Sequence, residues 1–278
     1  MNSVAIKNVL VTGATGFVGR RVTRCLARHG HMVRAIIRQG TQARLEPGAA
    51  KDPVESSDMF AEPPAWWQRA CTGIDVVVHL AWYAEPGKYL TSPRNLSCLS
   101  GTLALAEGAI AAGVRRFIGV GTCFEYDLAA GNLSVDTPIK PLTPYAATKA
   151  AAFLALSQTL PAAGVDFAWC RLFYLHGEGE DQRRLAAAIR ANLSRGAAID
   201  LTSGKQIRDF LDVDEAGSRI AALVDSDRSG AVNVCSGVGI TVRAFAEAIA
   251  DEYGRRDLLR FGARPDNVTD PPCVVGVP

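Results

Sequence analysis

The chain has 278 residues, a formal net charge of +2, and 48% hydrophobic and 21% charged residues. This is the make-up of a globular enzyme, long enough to bury a substantial core in one large domain or two small ones. So small a net charge excludes bulk attraction to nucleic acid or to a membrane surface, and no nucleic-acid or membrane partner is expected. Seven cysteines lack CxxC spacing, and His29, His31, His79 and His176 lack ligand spacing. We therefore expect a reducing, cytoplasmic location with neither a disulfide framework nor a metal site. Met1 to Gly13 is too short and too soon interrupted for a signal peptide. No apolar run approaches the roughly 18 residues that span a bilayer.

Taken in order, "NVLVTG" predicts a short buried strand and "FVGRRVTRCLARHG" a helix that ends at Gly30. Between them Gly13, Gly16 and Gly19 stand three residues apart. A strand-to-helix turn with that spacing is either a backbone cradle for a phosphate or a tight turn without a ligand. "MVRAIIR" is a second strand, and Glu46 to Pro64 break the rhythm as an irregular crossing with room for one weak strand. "IDVVVHLA" and "RRFIGVGT" are further β-branched runs, separated by the helix-forming "LSGTLALAEGAIAAG". "VDFAWCRLF" and "AVNVCSG" add strands after later helices. Strands apolar on both faces and alternating with helices imply an α/β protein with a parallel sheet covered on both sides. There is no internal repeat.

Tyr145 and Lys149 in "PYAATK" lie one helical turn apart on one face, with Thr143 and Pro144 suited to the cap and first turn. A phenol normally titrates near pH 10, and a neighbouring ammonium would lower that value toward a useful acid or base. Taken alone, such a pair is better read as an ordinary helical tyrosine with a solvated lysine.

In this order, "VTGATGFVG", "VVHLAW", "VGTCFEYD", "TPYAATK", "CRLFYLHGEG", "IRDFLDVDEAG" and "VNVCSG" resemble the extended short-chain dehydrogenase/reductase family. The resemblance is to its NAD(P)-dependent nucleotide-sugar epimerases, dehydratases and reductases, and it spans nearly the whole chain. It implies a doubly wound, parallel-sheet Rossmann fold over 1–172 with 206–235. A smaller, interleaved substrate-binding portion would take 173–205 with 236–278. Relatives continue beyond the point where "DPPCVVGVP" stops, so that portion is expected to be short or truncated.

The same resemblance implies a cofactor site of Gly13, Thr15, Gly16, Phe17, Asp58, Leu80 and Ala81, together with Tyr145 and Lys149. Tyr145 would pass a proton to or from the sugar oxygen, and Lys149 would bond the nicotinamide ribose. Thr122, four residues before Tyr126, takes the place of the family's catalytic Ser/Thr and would donate to the reacting oxygen. Cys123, Tyr174 and Arg208 fall at substrate-binding places. Arg208 would hold a nucleotide diphosphate, unless it pairs with Asp209 or Asp212. Tyr174 replaces the family's usual Asn.

Two departures narrow the reaction. Dehydratases carry Asp-Glu directly after the Thr; here Cys123 and Phe124 stand there, so dehydration is not expected. Glu125 would point to the opposite side of an extended segment and anchor a loop. At the end of the second strand, where NAD enzymes place an acid, the chain has Ile37 and Arg38. Arg38 could pair with a 2′-phosphate, be solvated or stack on adenine, and we favour NADP(H) over NAD(H). His79 reads as a core histidine, and "EGEDQRR" as a solvated loop.

The resulting expectation is an NADP(H)-dependent oxidoreductase of a nucleotide-activated sugar that reduces a 4-keto-6-deoxy intermediate. The alternatives are an NAD-dependent 4-epimerase and a non-catalytic nucleotide-sensing relative. A homodimer through the helices bearing Tyr145 and Thr102 is expected by the same resemblance.

Overall fold

A computed structural model describes residues 5–51, 53–267 and 269–278. The β-branched runs form strands and the alanine- and leucine-rich runs form helices, in regular alternation. The first half contains β1 (Asn8–Thr12), α1 (Phe17–Arg28), β2 (Met32–Arg38), β3 (Val54–Ser56), α2 (Pro64–Ala70), β4 (Val76–His79), α3 (Arg94–Ala111), β5 (Arg116–Thr122) and β6 (Asn132–Leu133). Next come α4 (Pro144–Ala162), β7 (Asp166–Leu172), β8 (Tyr174–His176), α5 (Leu185–Leu193), β9 (Ile199–Leu201), β10 (Ile207–Asp212) and α6 (Val213–Ala222). The chain closes with β11 (Gly230–Val234), β12 (Gly239–Thr241), α7 (Val242–Asp251), β13 (Leu259–Phe261) and β14 (Cys273–Gly276). No helix among the described residues is long and apolar enough to cross a membrane.

Seven strands form one parallel sheet in the order β11-β7-β5-β4-β1-β2-β3. Side-chain alternation splits its two faces. Val9 and Val11 of β1 enter the core shared with Val22 and Leu26 of α1 and Ile220 of α6. Leu10 enters the opposite core with Trp67 of α2, Leu105 of α3 and Leu156 of α4. This is the expected doubly wound sheet. The chain moves outward from β1 through β2 to β3, then returns to the other side of β1 as β4. That reversal opens a crevice at the carboxyl ends of β1 and β4, where open α/β sheets take their ligands. The weak strand expected in the irregular crossing is β3, which extends the sheet edge through Ile36 and Val54.

The remaining strands form a second layer of structure. β12, β10, β14 and β6 make one sheet, with β8 also on β10, and β13 pairs with β9. α5 and α7 pack around Ile189, Phe245 and Ile249. The segment 206–235, assigned from the sequence to the dinucleotide-binding portion, is divided between layers. Its β10 belongs to the second sheet, while β11 lies at the edge of the first. Likewise β6, within 1–172, pairs with β14 at the far end of the chain.

Candidate active site

The glycine turn follows directly from β1. Gly13 has φ 71°, a left-handed conformation that favours glycine, and a Cβ there would lie 2.8 Å from the Ala81 amide nitrogen. At Gly19 a Cβ would run into the Gly13 carbonyl, so this glycine lets α1 sit close against the turn. Gly16 is the N-cap of α1 in extended conformation and supplies no side-chain cap. The first-turn amides therefore face the crevice with the positive end of the helix dipole behind them, a fit for a pyrophosphate.

From this turn a continuous cleft of about 1350 Å³ runs to the second sheet. A single small-ligand site occupies roughly 300–1,000 Å³, so the cleft has room for two ligands end to end. Gly13, Thr15, Gly16, Phe17, Arg38, Asp58, Leu80 and Ala81 line it. So do Thr122, Cys123, Tyr145, Lys149, Tyr174 and Arg208. Every site residue drawn from the sequence thus reaches the same cavity.

At one end Arg38 closes β2 beside Ile37, and Arg44 joins it on the wall. Neither guanidinium forms an ion pair among the described residues. Asp58 accepts from the Phe60 amide (3.1 Å), which fixes its own turn. His79 is the core histidine expected. It is buried, and its Nδ1 and Nε2 meet Thr12 (2.8 Å) and Thr102 (2.9 Å). Because Thr102 also donates to the Cys98 carbonyl and Thr12 accepts from the Ala81 amide, the ring proton belongs on Nε2. Burial draws this imidazole down to about 3.

In the middle of the cleft, Thr143 caps α4 by accepting from the Ala146 amide (3.2 Å), and Pro144 starts the helix. Tyr145 packs edge-on against Tyr89, with ring centroids 4.8 Å apart. Burial pushes its phenol well above the usual tyrosine range; Tyr89 and Glu125 push the same way, and Thr122 pulls it down. The expected lowering by Lys149 is absent from these influences. Lys149 instead donates to the Val120 carbonyl (2.5 Å) and lies 3.8 Å from the Trp82 ring centroid. Burial lowers the lysine to about 7. Thr122 closes β5, and its Oγ1 accepts from the Phe124 amide (3.3 Å).

Glu125 corrects the sequence expectation. Cys123–Glu125 is a 3₁₀ turn, not an extended segment, and it turns the fully buried carboxylate under Thr122. Cys123 lines the cleft, but burial drives its thiol far above the normal range, so it supplies no acid or base at neutral pH.

Toward the second sheet, Arg208 is buried on β10. It meets Asp270 (2.7 Å) rather than Asp209 or Asp212, and it lies 5.3 Å from the Tyr174 ring centroid. Asp209 is already committed to the amides of Ser236, Gly237 and Gly276, and Asp212 caps α6. The "EGEDQRR" segment is not simply solvated, because Glu180, Asp181, Arg183 and Arg184 face the cleft. Arg183 pairs with Asp181 (2.8 Å) and reaches Glu85 (3.4 Å) on the loop after β4. Sequence reasoning also missed Arg44, Tyr89, Phe210, Phe245 and Asp270. Trp82 was legible as the residue following "HLA".

The strand order, switch-point crevice and glycine turn define a Rossmann-type α/β protein. The chain belongs to the NAD dependent epimerase/dehydratase family, whose model matches residues 9–235. It is 24% identical over 273 residues to dTDP-6-deoxy-L-talose 4-dehydrogenase (NAD(+)) of Aggregatibacter actinomycetemcomitans, covering 97% of this chain and 99% of that protein. Among solved structures, UDP-N-acetylglucosamine 4-epimerase from Methanobrevibacter ruminantium M1 superposes with a TM-score of 0.87 at 22% identity, covering 98% of this chain and 89% of that chain. MoeE5, in complex with UDP-glucuronic acid and NAD, gives a TM-score of 0.81 at 26% identity, covering 97% of this chain and 89% of that chain.

Proposed function

We propose that the protein is a cytoplasmic NADP(H)-dependent oxidoreductase of a nucleotide-activated sugar, reducing a 4-keto-6-deoxy intermediate. The observation that carries this reading is the convergence of Thr122, Tyr145 and Lys149 in one cleft, between the glycine turn and the buried Arg208. The nicotinamide dinucleotide would supply the hydride. Its pyrophosphate would rest on the amides of Gly16 and Phe17, with Leu80 and Ala81 beside the nicotinamide half.

The Tyr145 phenol, held protonated by burial, donates its proton to the carbonyl oxygen as charge develops there. Thr122 donates a second hydrogen bond to that oxygen and so stabilises it. Lys149 holds the ribose and adds positive charge. Arg38 and Arg44, without an ion pair among the described residues, support a 2′-phosphate, whereas MoeE5 is in complex with NAD. Arg208 and the aromatic wall of Tyr174, Phe210 and Phe245 would receive the nucleotide. Two features support reduction over dehydration: the buried thiol at 123 and the turned-away carboxylate at 125. The similarity to a 4-dehydrogenase of a dTDP-linked 6-deoxy sugar supports the substrate class.

A 4-epimerase is a second reading, favoured by 27% identity over 276 residues to UDP-glucose 4-epimerase of Rhizobium meliloti (strain 1021), covering 87% of this chain and 80% of that protein. A homodimer belongs to the proposal as well, with Leu96 on α3 and Leu154 on α4 65% and 55% exposed. The test is a screen of nucleotide sugars with NADPH and with NADH, read by nicotinamide absorbance, on the wild type and on Arg208→Ala. The variant is expected to raise KM for the nucleotide sugar with kcat nearly unchanged. An unchanged KM points to another substrate class.

A further inference from the structure

Beneath the cleft lies a carboxylate that the reaction above leaves without a part. Glu125 Oε1 accepts from the Thr122 backbone amide (2.8 Å) and the Trp169 indole N–H (3.0 Å). Its Oε2 accepts from Arg171 Nε (2.8 Å). The neighbouring strand is shaped to admit this group. A Cβ at Gly121 would collide with Glu125 Oε1, and one at Gly119 with the Trp169 ring. The indole that donates to Glu125 also lies 5.7 Å, ring centroid to Nζ, from Lys149. Thr122, Trp169, Lys149 and Glu125 thus form one contiguous buried unit.

We propose that Glu125 is a positioning residue: its carboxylate, next to the Trp169 indole, keeps Lys149 an ammonium and fixes the backbone from which Thr122 presents its hydroxyl. The inference rests on the catalytic reading of Thr122, Tyr145 and Lys149 given above. The groups around Lys149 are Cys98 on α3, His79 on β4, Tyr145 one turn earlier on α4, Glu125 on the 3₁₀ turn and Arg171 on β7. His79 and Tyr145 stay neutral by burial at neutral pH, and burial also raises the Cys98 thiol. Glu125 is therefore the one carboxylate of this set, and its Oε2 is paired with Arg171 (2.8 Å). Against the burial that lowers the lysine, Glu125 is the largest opposing influence.

The test follows the Lys149 side chain itself by NMR titration of the full-length protein labelled at lysine Cε, with the signal assigned through Lys149→Arg. The wild-type midpoint is expected near 7. In Glu125→Gln it falls by on the order of one pH unit or more, and in Glu125→Asp, which keeps the charge, it stays near the wild type. Should Glu125→Gln not fold, the double variant with Arg171→Met, which leaves no unpaired charge, is compared with Arg171→Met alone, and its midpoint lies lower by the same amount. An unmoved midpoint in a folded Gln variant overturns the proposal, as does a drop in the Asp variant equal to that in Gln.

With substrate, the alkaline limb of kcat/KM in Glu125→Gln moves down by the same amount; a fixed limb contradicts the positioning role. The NMR readout needs no substrate. A displaced midpoint in a protein inactive on every nucleotide sugar would therefore count against the substrate reading and not against the coupling.

Discussion

A phenol as deeply buried as Tyr145 keeps its proton at neutral pH, so the resting site is set to donate rather than to abstract. This is the state a ketone reduction needs, because the developing alkoxide must be protonated. Tyr145→Phe should therefore leave nicotinamide binding intact and lower turnover by on the order of 10²–10⁴-fold, the range for loss of a positioned acid. Retained full turnover in steady-state kinetics would discard the assignment. At the other end of the cleft, Arg38→Ala should weaken NADPH more than NADH in fluorescence titrations, since only the former carries the 2′-phosphate that a guanidinium can grip. Equal losses would remove the argument for NADP(H).

At the scale of the element, the turn between β1 and α1 depends on close packing as much as on chain reversal. Gly19→Ala forces a methyl group into the Gly13 carbonyl. We expect a loss of about 1–3 kcal/mol from the overpacked contact, read by thermal melting, together with weaker dinucleotide binding. An unchanged melt and unchanged affinity would show that the turn yields freely. This element was legible in the sequence because both determinants are local: a β-branched run, then glycines at fixed offsets. The helix of Tyr145 and Lys149 was legible for the same reason, through its Thr143 cap and Pro144. The second sheet was not, because β6, β8, β12 and β14 have two to four residues each. Strands so short carry no periodicity, and β6 meets β14 only across 143 residues of chain, the separation of Asn132 from Val275. The pairing of Arg208 with Asp270 was hidden likewise. The 3₁₀ turn that buries Glu125 escaped because its reciprocal cap with Thr122 lies in a motif whose neighbours suggested an extended strand end.

For the molecule as a whole, His79 ties stability to pH. Its neutral ring joins β1 to α3 through Thr12 and Thr102, and its folded pKa of about 3 lies below the unfolded value of 6.5. Between those values the unfolded chain binds the proton and the folded one does not, so stability present above pH 6.5 is lost as pH falls. The loss is about 1.4 kcal/mol per pH unit. Chemical denaturation of wild type and His79→Gln should show the wild type losing more stability between pH 6.5 and 4.5; parallel profiles would refute a neutral buried ring. The most direct test of the whole account is the stoichiometry of the reaction. A nucleotide-linked 4-keto-6-deoxy sugar is incubated with limiting NADPH while both sugar and cofactor are followed. The account predicts one NADPH oxidised for each sugar reduced. Conversion of the sugar without net oxidation of NADPH would contradict it.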